Sequence, residues 1–370
     1  MDKRIPKAGI IGTGLMGGSL ALALRSNTGI SRVVAYDISE KTRREAVKLG
    51  VADEVVESPV EAVDESDFVF LATPVGELTE VFAEIREYLK PGAVVSDLGS
   101  TKLRVTTAIE EMVPRGVHYV GGHPMTGSEQ SGVESARGDL YNDCYYILTP
   151  TSNTDTEAFR RLHGLLTDIG ARVISMEPEA HDRAMATISH VPHLLSLLLM
   201  DMARKHREKI RNLFTVAAGG FRDMTRIAAS SPDLWTDICM ENREFIVERL
   251  EEYQEEIRGL VATLEKDDRE GLKDLFEKAR RARSEFSLKA GQEIEGMFEV
   301  SMPVPDRPGV ISTVSTAMGS LGVNIEDLGI VHPLEGETGI LTLRILGEVN
   351  ARQALQELES KGYRVSLRRV

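Results

Sequence analysis

"KAGIIGTGLMGGSLALALRS" spans Lys7 to Ser26. A short apolar run leads into Gly12, Gly14 and Gly17 at GxGxxG spacing, with Leu15 and Met16 between the last two. A helix-forming stretch follows directly. In that context the first glycine makes a tight turn, the second admits a pyrophosphate against the backbone, and the third lets helix and strand pack closely. The helix start then offers free N–H groups to phosphate oxygens. Gly12, Gly14, Leu15, Met16 and Gly17 are therefore candidate cofactor contacts. Asp37 ends the next strand-like run, "VVAYD", 20 residues after Gly17. A carboxylate there takes the ribose hydroxyls and repels a 2′-phosphate. No arginine follows at once in "DISEKTRRE", although Arg43 and Arg44 lie a turn or two along. NAD is expected in preference to NADP.

Outward from this loop the same form repeats. "DFVFLATP" (Asp67 to Pro74), "AVVSDLGS" (Ala93 to Ser100) and "VHYVGGH" (Val117 to His123) read as strands. Helical stretches, Glu77 to Lys90 and Thr101 to Val113, lie between them. Continuous apolar strands alternating with helices predict a parallel sheet covered on both faces. "CYYILTP", the helix Asp155 to Ile169 and "ARVIS" extend that layer, so a first domain covers 1–177. Residues 178–294 carry only helical patterns. There Ile246, Leu250, Tyr253, Ile257, Leu260 and Leu264 recur at heptad-like spacing. Such a seam suits either packing within its own domain or a dimer interface. Residues 295–370 read as βαββαβ: "MFEVSMPV", a helix in "DRPGVISTVSTAMGSLG", two strands flanking "LEGE", a helix and "YRVSLRRV". Asn350 and Gln353 are read as a capping pair opening the helix "ARQALQELESKG".

Composition narrows the partners. Lys and Arg number 44 against 58 Asp and Glu, a formal charge of −14. Neither nucleic acid nor an anionic membrane is expected, since phosphate backbones select for Lys and Arg. A small anionic substrate stays open, because one local arginine can hold a carboxylate. The two cysteines, Cys144 and Cys239, lack metal-ligand spacing. No metal and no disulfide framework are expected, and a reducing cytoplasm is favoured. The start runs directly into the glycine motif, so no leader is expected. The longest apolar run, Leu194 to Met200, is far too short to span a bilayer.

In a doubly wound sheet, ligands bind beyond the carboxyl ends of the strands. Thr73, Ser100 and His123 all end predicted strands and so share that edge. Neutral histidine, with a pKa near ~6.5, suits a base that takes the proton of an alcohol losing hydride. A serine within reach can orient the ring.

Four motifs in order, "SDLGSTK", "GGHPMTGSEQSG", "SHVPHLL" and "GGFRDMTRIA", resemble the prephenate dehydrogenase family over most of the first 290 residues. "DRPGV" and "GVNI" resemble an ACT domain, a regulatory amino-acid-binding module. The resemblance implies an N-terminal Rossmann domain, a helical substrate and dimerisation domain, and a C-terminal ferredoxin-like regulatory domain. It also implies oxidative decarboxylation of prephenate with NAD, by a homodimer inhibited by tyrosine. His123 matches the catalytic histidine, and Ser100 the serine that bonds it and the nicotinamide side. Arg226 matches the substrate arginine, the ring carboxylate being its favoured partner. From spacing alone, Asp223 and Arg226 also suit a surface ion pair. His190 and His193 bracket Pro192, which is expected to kink the helix. One of them contacts substrate, with His193 preferred. His181 and Asp182 fit the family pattern or a packing role equally. Glu129 suits a pocket gate or a solvated loop position. Pro308, Gly309 and Asn324 are the candidate regulatory contacts. Rival readings are arogenate or cyclohexadienyl oxidation, a β-hydroxy-acid dehydrogenase (for which no catalytic lysine stands out), and an amino-acid sensor on a degenerate scaffold.

Overall fold

The computed structural model describes residues 6–127, 131–290, 296–305, 310–323, 325, 327–331 and 338–369. Two compact units divide the chain, Met1–Glu255 and Glu256–Val370.

The first unit opens with β1 (Lys7–Ile11), α1 (Leu15–Asn27), β2 (Arg32–Tyr36), α2 (Glu40–Leu49), β3 (Glu54–Val55), α3 (Pro59–Val63), β4 (Phe68–Leu71), α4 (Leu78–Ile85), β5 (Val94–Asp97), α5 (Leu103–Glu110) and β6 (His118–Tyr119). The strands form one parallel sheet in the order β3-β2-β1-β4-β5-β6. Successive side chains of a strand face opposite ways. Accordingly Ile10, Phe68 and Phe70 join a core with Leu20 and Leu24 of α1. Ile11, Val69 and Leu71 join another with Leu78, Phe82 and Ile85 of α4. Each such fully buried side chain contributes about 1.5–3 kcal/mol.

"VHYVGGH" is not the single strand expected. The last parallel bond runs from Val120 N–H to the Val95 carbonyl. The chain then leaves the sheet as β7 (Gly121–Pro124), which pairs antiparallel with β8 (Tyr145–Thr149). After α6 (Thr156–Asp168), β9 (Arg172–Ser175) pairs parallel with β8. The extra strands therefore form a second sheet, β7-β8-β9, rather than an extension of the first. The switch is decided by a partner strand more than 20 residues away, which no local pattern reveals.

Helices follow: α7 (Pro178–Met185), a π-turn at Ala186–His190, α8 (Val191–His206), α9 (Gly219–Thr225), α10 (Pro232–Glu241) and α11 (Arg243–Glu265). α7, the π-turn and α8 run on in helical dihedrals, so Pro192 lies inside a continuous helix, and the irregularity is a π-turn in the five residues that lead up to it. Ile238 of α10 enters the α4 core, which fastens this helix to the parallel sheet. Along the heptad-like seam Ile246 is buried, whereas Tyr253, Ile257, Leu260 and Leu264 are exposed.

The second unit holds the rest of α11, then α12 (Arg269–Ala290), β10 (Met297–Pro305), α13 (Val310–Ser320), β11 (Asp327–Val331), β12 (Thr338–Leu346), α14 (Glu348–Ser360) and β13 (Ser366–Arg369). Its strands form an antiparallel sheet ordered β11-β12-β10-β13. Val300, Met302, Leu341 and Leu343 pack there with Val314, Met318 and Leu358. Asn350 is not a cap. Gly347 holds the N-cap position, and the Asn350 amide donates to the Leu346 carbonyl at 3.0 Å. Glu348 and Val349 simply extend the helix backwards, which places Asn350 in its first turn.

Candidate active site

The glycine loop is shaped for a ligand's backbone approach. Gly12 has φ +95°, and a Cβ there would stand 2.5 Å from the Ala72 carbonyl oxygen. A Cβ at Gly17 would sit on the Gly12 carbonyl. At Gly14 the space is open, and no side chain caps the start of α1. Leu15 and Met16 form its first turn. Thr73 follows β4, and its buried hydroxyl has no partner. Free helix N–H groups, open space above them and an orphaned hydroxyl together fit a dinucleotide pyrophosphate.

Asp37 braces this loop. Its Oδ2 accepts from Thr13 N at 2.8 Å and its Oδ1 from Ser39 N at 2.9 Å. Arg43 donates to the Asp37 carbonyl at 2.7 Å, its guanidinium carbon 5.8 Å from the Tyr36 ring centroid. Arg44 pairs instead with Glu40.

At the same sheet edge, Asp97 ends β5 and is fully buried with the Lys102 ammonium, to which it is ion-paired. It also accepts from Gly99 N at 2.7 Å, the Tyr119 hydroxyl at 2.6 Å and Gly122 N at 3.3 Å. One carboxylate thus ties the loop carrying Ser100 to the strand carrying His123. Ser100 is half-buried. Among the described residues no hydrogen bond joins it to His123.

His123 bonds His181 instead. Its Nδ1 lies 2.8 Å from His181 Nε2, and His181 Nδ1 lies 2.7 Å from Asp182 Oδ1. Asp182 also accepts from Lys102 N and Leu103 N, each at 2.8 Å, and so caps α5. The structural role left open for Asp182 is present, as the cap of α5. The π-turn carries His190 onto Asn242, 3.0 Å from Nδ2 to Nδ1. His193 stacks on Trp235, with centroids 3.4 Å apart and planes at 17°.

These imidazoles are held neutral. Burial, then the neighbouring His181, Lys102 and His190, push His123 well below the ordinary histidine range. Burial lowers His181 against the pull of Asp182, and it lowers His193 as well. His190 is pushed down to about 4, chiefly by burial. Folding therefore favours the neutral form, and stability is fully present above pH ~6.5. Between there and pH about 4 the unfolded chain binds a proton that folded His190 refuses. Unfolding free energy is expected to fall by about 3 kcal/mol from this group across that window. Urea melts at several pH values check this, and His190→Asn should flatten that part of the profile.

Arg226 opens a short 3₁₀ turn after α9, and Asp223 lies in α9, both exposed. Glu129, Pro308, Gly309 and Asn324 lie outside the described residues. Sequence reading missed Trp235, Asn242 and the Asp97–Lys102 pair. The chain's only tryptophan was a usable signal. Lys102 was visible within "SDLGSTK", a motif read for its serine alone. Asn242 carried no signal, as its partner lies 60 positions away.

A glycine loop braced by an acidic strand end, with a buried neutral histidine whose strand Asp97 ties to the end of β5, defines a dinucleotide-dependent dehydrogenase. Comparison narrows the class. Residues 20–175 match the family profile described as "Prephenate dehydrogenase, nucleotide-binding domain", and residues 177–278 match "Prephenate dehydrogenase, dimerization domain". Prephenate dehydrogenase of Bacillus subtilis is 35% identical over 354 residues, 95% of each chain. Cyclohexadienyl dehydrogenase of Zymomonas mobilis is 33% identical over 286 residues, 77% of this chain and 97% of the relative. The crystal structure of prephenate dehydrogenase from Aquifex aeolicus, in complex with hydroxyphenyl propionate and NAD+, superposes with a TM-score of 0.72. It is 32% identical and covers 77% of this chain and 100% of that one. The chain belongs to the prephenate dehydrogenase family and is an NAD-dependent oxidoreductase.

Proposed function

We propose that this chain converts prephenate and NAD+ to 4-hydroxyphenylpyruvate, CO2 and NADH, on the route to tyrosine. NAD+, when bound, supplies the acceptor for the hydride on the ring carbon that bears the hydroxyl. The chain's residues do the rest. The glycine loop and the start of α1 hold the pyrophosphate, and Asp37 faces the ribose. His123 accepts the hydroxyl proton, and the ring carboxylate departs as CO2 with its bonding electrons left in the ring. The observation that carries this reading is His123 itself, a buried neutral imidazole tethered 2.8 Å from His181 at the cofactor edge. Ser100 stands on the nicotinamide side. His193, stacked on Trp235, offers its free edge to substrate. Asp223 and Glu129 are assigned to the substrate.

Arg226 is assigned one of the two prephenate carboxylates, the ring one by preference. Arg226→Ala is expected to raise KM for prephenate roughly 10–100-fold, the equivalent of losing a charge-assisted bond of about 1.5–3 kcal/mol. KM for NAD+ should stay within about twofold. Steady-state kinetics decide it, and an unchanged prephenate KM removes Arg226 from the site. Arogenate is the second reading, favoured by the similarity to a cyclohexadienyl dehydrogenase. Parallel kcat/KM measurements on both substrates separate the two.

Three parts are assigned: 1–177 for NAD, 178–294 for substrate and dimerisation, and 295–370 for regulation. The exposed residues from Tyr253 to Leu264 supply an apolar face for a homodimer. The βαββαβ order of the last part supports an ACT-like domain, and tyrosine, the eventual product, is its proposed ligand. Pro308, Gly309 and Asn324 are its proposed contacts. Deleting residues from 296 onward is expected to abolish inhibition by L-tyrosine while prephenate turnover persists. In the full chain tyrosine should weaken prephenate binding by about 1–3 kcal/mol. Equal inhibition of both forms places tyrosine at the active site instead. Both cysteines are free thiols, in keeping with a reducing cytoplasm. No described helix is long and apolar enough to cross a membrane.

A further inference from the structure

We infer that Asp182 is a positioning residue that sets opposite proton patterns on two active-site histidines, leaving His123 a bare acceptor at Nε2 and making His190 a donor at Nε2. The inference rests on the proposed reaction for its purpose, but its geometry stands without substrate.

The first branch runs through the Asp182 side chain. Backbone N–H groups can only donate. Lys102 N and Leu103 N therefore make both Asp182 oxygens acceptors. His181 Nδ1, 2.7 Å from Oδ1, must then carry the hydrogen of that contact. A neutral imidazole has one N–H, so His181 Nε2 is an acceptor. His123 Nδ1, 2.8 Å away, donates to it. The single proton of neutral His123 is thereby used, and its Nε2 is left with a free lone pair. That is the state a base needs before it takes the substrate's hydroxyl proton. Once His123 is protonated, its Nδ1–H still meets an acceptor, and the Asp182 carboxylate lies one imidazole beyond the new charge. The second histidine thus extends the histidine-carboxylate pairing used by hydrolytic enzymes to hold a base in one tautomer.

The second branch runs through the Asp182 main chain. Its carbonyl accepts from Asn242 Nδ2 at 2.8 Å. That bond sets the amide's orientation, because a flip would place two oxygens face to face. The other hydrogen of the same Nδ2 points to His190 Nδ1 at 3.0 Å. His190 Nδ1 must accept, so its proton resides on Nε2. A protonated His190 would set two donors against each other, which agrees with its depressed pKa of about 4. Asn242 is 2% exposed and His190 1% exposed, so water does not readily replace either contact. His190 thereby becomes a fixed donor, suited to a carbonyl or carboxylate oxygen of the ligand. The geometry separates the roles of His190 and His193: His190 has its tautomer locked, whereas His193 is stacked on Trp235 and, among the described residues, makes no side-chain hydrogen bond.

The test is to read the ring protons directly by 15N–1H NMR on the full-length enzyme at neutral pH, with signals assigned through His123→Asn and His190→Asn. His123 should carry its proton only on Nδ1, and His190 only on Nε2. Asp182→Ala, which removes the acceptor that fixes His181, should release His123 into mixed tautomers and lower kcat about 10²–10⁴-fold, with KM for prephenate and NAD+ within about threefold. Asn242→Leu, which leaves the first branch intact and guards against a misfolded Asp182 variant, should release His190 into mixed tautomers while His123 keeps its own. A wild-type His123 protonated on Nε2 overturns the inference. So does an Asp182→Ala enzyme that keeps both the native tautomer and more than half of kcat, or an Asn242→Leu enzyme in which His190 is unmoved. Turnover of prephenate by the wild type reports on the reaction separately, so loss of the relay and loss of the assigned activity are told apart.

Discussion

Replacing His123 with asparagine is expected to lower kcat about 10²–10⁴-fold, the range for loss of a general base. Asparagine has similar bulk and can still meet His181, so the packing of β7 against α7 should persist. What it lacks is a nitrogen lone pair able to take a proton. His123 is buried, and burial and its neighbours hold it well below the ordinary histidine pKa. The wild-type base is therefore ready across the neutral range, and the acid limb of its rate profile should fall below pH ~6.5. KM values for prephenate and NAD+ should move by less than about threefold, because the lost interaction belongs to the transition state. Stopped-flow or steady-state NADH absorbance measures it. A variant with more than half of wild-type kcat removes His123 from the chemistry.

Gly17→Val is expected to be comparably severe, through the cofactor. Any Cβ at this position meets the Gly12 carbonyl oxygen and comes within 2.8 Å of the Ala72 Cβ. Neither is the far end of a flexible side chain, so α1 must move away from the loop. Overpacking of that kind costs about 1–3 kcal/mol. Displacing the helix N–H groups from the pyrophosphate forfeits a further 1.5–3 kcal/mol or so per charge-assisted bond. NAD+ affinity should fall roughly 10²-fold or more. Titration of protein fluorescence with NAD+ checks it, and a circular-dichroism melt confirms that the variant is folded. Affinity within about threefold of wild type would contradict the loop's assignment.

What was legible in sequence follows from range. The glycine loop, Asp37 and the strand-helix alternation are local patterns, and the structure reproduces the parallel sheet they imply. The β6–β7 break was not legible, because one run of residues changes partner from β5 to β8 at Val120. The cap assigned to Asn350 failed because Gly347 and two ordinary residues carry the helix further back than a polar pair suggested. At the site, motif by motif reading found His123, Ser100, His190 and His193. It could not supply the links from His123 to His181, or from His190 through Asn242 to Asp182, which span 58, 52 and 60 positions. Composition and spacing hold no record of such contacts.

The central claim is oxidation of prephenate coupled to loss of its ring carboxylate. The most direct test incubates the purified enzyme with NAD+ and ring-carboxyl-labelled prephenate, then follows NADH absorbance and labelled CO2 together. The account predicts that both appear from prephenate at equal rates, with 4-hydroxyphenylpyruvate as the organic product. An enzyme that binds NAD+ yet forms no NADH from prephenate, or that forms NADH without releasing the label, would contradict it.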